Sequence, residues 1–113
     1  MNDELQILLE TIKEDYLSWS TRGTDYDSLA DHRKNMIEEF NNGLTINVGS
    51  KYIKVISNHS VWGFVVNTEN DKKFKNGDIL KAAGWNAPAR NAPRGNIFEG
   101  GYKIQWTGPL YLK

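Results

Sequence analysis

Two of the chain's four arginines, Arg90 and Arg94, fall inside the short stretch "GWNAPARNAPRGN" (84–96), which also holds two of its three prolines. An Asn-Ala-Pro unit occurs there twice, at 86–88 and at 91–93. A guanidinium is a rigid planar fork of donors that meets phosphate oxygens two at a time and stacks on purine rings. Asn86, Asn91 and Asn96 each add an amide with two donors and an acceptor, the chemistry that reads a base edge or a ribose hydroxyl. Pro88 and Pro93 restrict the backbone, so less entropy is lost when a ligand is ordered. Gly84 and Gly95 admit close approach of backbone to ligand. Such a stretch suits a small anion that carries a base. The same residue types also make ordinary turns in β-proteins, so from composition alone the binding loop and the plain connection both stand.

Aromatic side chains could supply a stacking surface. Trp62, Phe64 and Phe74, with Trp85 inside the loop, are candidates, though each by itself is better suited to a core, and the aromatics of "VWGFVV" read as sheet packing. Other chemistry is sparse. The absence of cysteine removes disulfides, thiolate metal sites and cysteine nucleophiles. His32 and His59 sit in different elements with no motif around either and read as structural. Asp25, Asp27 and Asp31 in "TDYDSLADH" read as helix capping with a favourable dipole interaction rather than as a hard-metal site. No triphosphate-binding glycine loop, zinc-protease pair or serine elbow is present. No catalytic residue, metal ligand or cofactor is therefore expected.

The elements that must position the loop are legible from periodicity. Leu5, Leu8, Leu9, Ile12 and Tyr16 recur at three- and four-residue steps, which predicts an amphipathic helix over 3–19. A second helix follows the "WSTRGTDYDS" break, with Leu29, Arg33, Met36, Ile37 and Phe40 on one side, and Asn41-Asn42-Gly43 ends it through a left-handed glycine. From Leu44 the period becomes two. Strands are expected at 44–48, 52–56, 61–66 and 78–83, with "VWGFVV" apolar enough to be buried on both faces. Asn96–Phe98 and Tyr102–Trp106 are expected to pair across Glu99-Gly100-Gly101, and "GPLYL" to close the sheet. The fold class is α+β: a helical part (1–43), then an antiparallel sheet or sandwich-like β part (44–113), in a single domain covering 1–113.

Fourteen basic and fourteen acidic side chains cancel, which argues against a nucleic acid polymer or an anionic membrane as partner. Phosphate recognition, if present, must be local. The N-terminus is acidic and lacks a signal peptide's pattern, and no apolar run approaches the ~20 residues that span a bilayer, so an intracellular protein is expected. The Leu-rich stripe of the first helix needs a cover, either the chain's own sheet or a partner subunit.

The order "RKNMIEEF", "KYIKVI", "SVWGFVV", "KFKNGDILKAAGWNAPARNAPRGNIF" and "YKIQWTGPLYL" resembles the first family of phage Thoeris anti-defence proteins over Arg33 to Leu112, most specifically in "GDILKAAGWNAPARNAPRGN". The resemblance implies a small phage product in the cytoplasm of the infected bacterial host. Such proteins capture cyclic ADP-ribose isomers made by immune TIR-domain enzymes and hold them uncleaved. It further implies a homo-oligomer with ligand at subunit boundaries, and in some relatives a separate place for cyclic oligonucleotides of CBASS defence. On that reading Arg90 and Arg94 face the pyrophosphate or stack on the purine, Asn86, Asn91 and Asn96 bond sugar or base edges, and Trp62, Phe64 or Phe74 stacks. The competing readings are an enzyme that cleaves the same nucleotide and a protein-interaction module.

Overall fold

The computed structural model of the chain describes residues 2–21, 31–58, 60–90, 93–100, 102 and 104–109. Leu29, Asp25, Asp27, His59 and Asn91 lie outside them. Two helices, α1 (Asn2–Thr21) and α2 (Asp31–Gly43), precede β1 (Leu44–Val48), β2 (Tyr52–Ser57), β3 (Ser60–Val66), β4 (Ile79–Gly84) and β5 (Ala87–Pro88). A short ribbon of β6 (Ile104–Gln105) and β7 (Gly108–Pro109) follows. Strands β1 to β5 form one antiparallel sheet in chain order, and the ribbon is a separate pair. The chain thus has the expected α+β architecture of two helices and an antiparallel sheet.

The stripe of α1 is covered by the chain itself. Leu5, Leu8, Leu9, Ile12 and Tyr16 are buried in one core with Ile37 and Phe40 of α2 and with Ile53, Val55, Val65 and Ile79 of the sheet. Successive residues of a strand point to opposite faces. Phe64, Val66 and Leu80 accordingly form a second core on the far face, capped by Phe74 from the 67–78 connection. Within β3 the residues from Trp62 to Val66 are all buried, as a strand covered on both sides requires.

One irregularity assigns Trp62 to its face. Val55 pairs with Gly63 but Ile56 pairs with Val61, so Trp62 is the extra residue of a β-bulge. Strict alternation would send Trp62 to the same side as Phe64. The bulge instead turns it into the helix-side core, while Val61 packs against the far-side cluster. There the Trp62 indole N–H donates to the Gln105 carbonyl at 2.8 Å and so holds the β6–β7 ribbon against β3.

Three local expectations are corrected. Asn96–Phe98 does not form a strand with Tyr102–Trp106. Asn96 makes a single antiparallel bridge to Asp78, and its side-chain oxygen accepts from the amides of Phe98 (2.8 Å) and Glu99 (3.3 Å). An asparagine that satisfies the following amides itself curls the chain into a turn and removes donors a strand would need. The second correction concerns Gly43, which lies within α2 and is not among the positive-φ glycines. Its small size serves proximity: a Cβ there would lie 1.8 Å from Asn58 Oδ1, and the Gly43 carbonyl accepts from the Asn58 amide at 2.8 Å. This contact lets α2 run into β1 without a loop and ties the junction to the β2–β3 turn. Met36, expected on the apolar side of α2, is instead 46 % exposed.

Alanine normally gains up to about 1 kcal/mol over glycine in a helix. Gly43→Ala is expected to lose that gain in the native chain and to recover it in an Asn58→Gly background, since Asn58 has φ 56° and suits glycine. Urea unfolding of the four proteins of this double-mutant cycle should give a coupling of about 0.5 kcal/mol or more. Additive effects would mean that proximity to Asn58 is not the reason for Gly43.

Candidate functional site

Residues 84–90 of the stretch form a hairpin and residues 93–96 a return leg. Trp85 and Asn86 form the turn, β5 pairs back on Ala82 and Gly84, and the Ala89 amide donates to Lys81 C=O at 2.7 Å. The return leg binds the other end of β4: the Arg94 amide donates to Ile79 C=O (2.7 Å) and the Ile79 amide to Gly95 C=O (2.8 Å). Proline is tolerated in β5 because an edge strand does not need every amide. Gly84 is open on its side-chain face, whereas at Gly95, φ 151°, a Cβ would meet Tyr102 Cβ at 2.4 Å. The room at Gly95 is therefore used by the chain, and only Gly84 leaves its approach free.

Arg90 is the centre of the arrangement. Its guanidinium forms a two-pronged ion pair with Asp71, Nη1 to Oδ2 at 3.0 Å and Nη2 to Oδ1 at 2.9 Å. Nη1 also donates to the Tyr52 hydroxyl, and the group lies 4.8 Å from the centre of the Phe74 ring. Asp71 Oδ1 additionally accepts from the backbone amides of Lys73 (2.8 Å) and Phe74 (3.0 Å). Lys73 Nζ donates to the Arg90 carbonyl. The 67–78 and 84–90 segments are thereby stapled to each other over the far face of the sheet. The Asp71 side chain is 1 % exposed and that of Arg90 39 %, so the carboxylate is hidden while part of the cation faces solvent. Hydrogen bonds from Arg90 first, then from the Lys73 amide, hold the Asp71 carboxyl far below the usual carboxylate range. The same pair, chiefly through its hydrogen bond, raises Arg90.

At the other end of the same face, Lys54 Nζ donates to Asn86 Oδ1 at 2.7 Å and sits 4.7 Å from the centre of the Trp85 ring. Trp85 is 51 % exposed. Tyr52 and Lys54 are two apart on β2 and so share a face. That spacing places a phenol and an ammonium under the two ends of the loop. Beside Arg90 lies an open cleft of about 470 Å³, lined also by Lys51, Thr68, Asn70, Asp71 and Lys72.

Of the residues singled out in the sequence, Arg90 and Phe74 meet on this face and Asn86 lies at its other end, with Phe64 in the core of the same side. Arg94 and Asn96 do not join them: both are buried at the loop's root, where Asn96 Nδ2 bonds Asp78 Oδ1 (2.9 Å) and the Asn76 carbonyl (3.0 Å). Trp62 lies across the sheet, in the wall of a second cleft of about 510 Å³. There Tyr16 stacks on Phe40 with ring centres 4.1 Å apart, and Trp106 meets Tyr16 edge-on at 5.0 Å. Among the described residues the charged lining residue of that cleft is Glu39, which disfavours an anionic ligand. Sequence reasoning missed Tyr52, Lys54, Asp71 and Lys73. Tyr52 and Lys54 were readable as the outward positions of a strand, but nothing local marked their proximity to a loop more than thirty residues away.

Fold and site define a class: a small α+β domain whose sheet carries helices on one face and an arginine-centred, loop-built polar surface on the other. Residues 2–112 match the family of unknown function DUF7717, and the chain belongs to that family. Neither a curated protein nor a solved structure matches it. Among the described residues no cluster of three or more His, Asp or Glu is placed to hold a metal ion, and no helix is long and apolar enough to cross a membrane.

Because the folded-state pKa of Asp71 is depressed, its contribution to stability is present above the unfolded value near 4 and is lost as pH falls through and below it. Asp71→Asn is therefore expected to lower the melting temperature at pH 7 and to converge on the wild type as pH drops from about 5 toward 2. Thermal scans across that range check it. A gap that persists unchanged at pH 2 would show that the charge of Asp71 does not hold the staple.

Proposed function

We propose that this protein binds a cyclic ADP-ribose isomer and sequesters it, as a phage anti-defence protein that removes the signal made by TIR-domain enzymes in the cytoplasm of an infected bacterium. The observation that carries the reading is the Arg90 constellation: a preorganised guanidinium shares one sheet face with the exposed Trp85 ring and the Asn86 amide. A ligand with a pyrophosphate, a purine and ribose hydroxyls needs those three kinds of group together. The resemblance of Arg33–Leu112 to the first Thoeris anti-defence family supports the same ligand class, and with it a homo-oligomer.

Holding is favoured over cleavage by the state of Asp71, the carboxylate at the site among the described residues. Both oxygens of Asp71 are bonded, to two guanidinium N–H groups and two backbone amides, and its carboxyl is held far below the range of a general acid or base. Arg90 takes the phosphate-facing role in this reading, because Arg94 is only 9 % exposed. Tight capture needs no net charge: a nanomolar complex requires about 12 kcal/mol from a few well-desolvated contacts.

Calorimetry with the purified messenger is expected to show stoichiometric binding at micromolar concentrations. Arg90→Ala should weaken it at least about tenfold, the loss of one charge-assisted contact of about 1.5 kcal/mol or more. Heat denaturation of the loaded protein followed by chromatography should return intact nucleotide. Recovery of linear product would replace sequestration by cleavage, and absence of heat would remove this ligand class altogether.

A further inference from the structure

The cleft beside Arg90 has a charge and a shape of its own. Among the described residues its lining has one carboxylate, Asp71, which is saturated by four N–H donors. Lys51 and Lys72 take part in no ion pair among the described residues. Counting Lys51, Lys72 and Arg90 against Asp71, three positive and one negative, the lining carries a net charge of +2. Thr68 and Asn70 supply a hydroxyl and an amide beside these cations.

The walls are also tied together before any ligand arrives. The Asn67 amide donates to Lys51 C=O at 2.8 Å, and Asn67 Nδ2 to Gly49 C=O at 2.9 Å, which joins the β1–β2 turn to the 67–72 segment. Within that segment the Asn70 amide donates to Thr68 Oγ1 at 3.2 Å. Arg90 is fixed from behind by Asp71 and Tyr52. Preorganised cations lose less freedom on binding than mobile ones.

We propose that this cleft is a diphosphate pocket, with Lys51 and Lys72 as its ligand-contacting ammonium groups and Arg90 as its fixed fork. The identification of the ligand as a nucleotide rests on the function proposed above; the anion site does not. A doubly esterified pyrophosphate carries two negative charges, which the lining's +2 matches, and a volume of about 470 Å³ accommodates it with adjoining sugar. The pocket also sets the ligand's direction. Lys54 follows Tyr52, which bonds Arg90, by two residues on the same face of β2, ~7 Å along an extended strand, so a nucleotide seated here has its base directed toward the Lys54–Trp85–Asn86 end of the face.

The test uses the full chain, with inorganic pyrophosphate and the cyclic ADP-ribose isomer as separate probes in calorimetry. Lys51→Ala/Lys72→Ala is compared with Lys13→Ala/Lys75→Ala, which removes the same charge away from the cleft. Both lysines of the cleft are exposed, so the fold should persist, as circular dichroism would verify. Pyrophosphate affinity is expected to fall at least about tenfold in the cleft variant, to be unchanged in the control, and to weaken with added salt. Equal affinity in both variants, or no pyrophosphate binding by the wild type, overturns the pocket. Messenger bound equally by wild type and cleft variant overturns the pocket's assignment to the messenger's pyrophosphate while leaving sequestration intact. Lysine-dependent pyrophosphate binding without messenger binding supports the pocket and removes the sequestration reading.

Discussion

Strand β3 is apolar on both faces, and each face needs its own cover. Helices α1 and α2 supply one, with five apolar residues of α1 packed over Ile53, Val55, Val65 and Ile79. The other is made of connecting segments, with Phe74 laid on Phe64, Val66 and Leu80. Loops bring polar backbone with them, and polar groups drawn toward a buried surface must find partners. The Asp71 carboxylate answers that need by accepting from two loop amides, and Arg90 then answers the carboxylate. The polar surface of this protein is thus a consequence of covering an apolar strand with loops.

The same constraint explains why the two clefts differ chemically. On the helix side, space is left between aromatic rings that belong to the core, and the bulge at Trp62 adds one more ring to that side. On the loop side, space is left beside the Arg90–Asp71 pair that holds the loops down, and Lys51 and Lys72 in its lining give the cleft its positive charge. A one-residue slip in β3 pairing decides which aromatic goes where.

Legibility divided along similar lines. The helices were readable because Leu5, Leu8, Leu9, Ile12 and Tyr16 obey one period and bury together. Strands β1 to β4 were readable from alternation and from the turn residues between them, and came within a residue or so of their expected bounds. The stretch from Asn96 to Trp106 was not, because Asn96 competes for its own following amides, and a hydrogen bond from a side chain leaves no periodic trace. Gly43 was assigned the wrong virtue for a related reason: glycine's two uses, positive φ and small size, look identical until Asn58 is seen beside it.

The loop 84–96 shows both sides of the division. Its composition by itself marked it as a place where arginine, amide and proline chemistry coincide, and that is a local property of residue types. Which arginine faces outward was decided by pairing with β4: Arg94 is drawn in by its bond to Ile79 while Arg90 is carried past the sheet's end to meet Asp71, Tyr52 and Phe74. Of the doubled Asn-Ala-Pro, the first copy shapes a hairpin turn and presents Asn86 to Lys54. Residue chemistry and period are carried by each short segment alone, so the sequence by itself determined the two helices, strands β1 to β4 and which residue types gather in the 84–96 loop. Partners for those groups come from segments tens of residues apart, and only packing the two faces of β3 determined which of them meet.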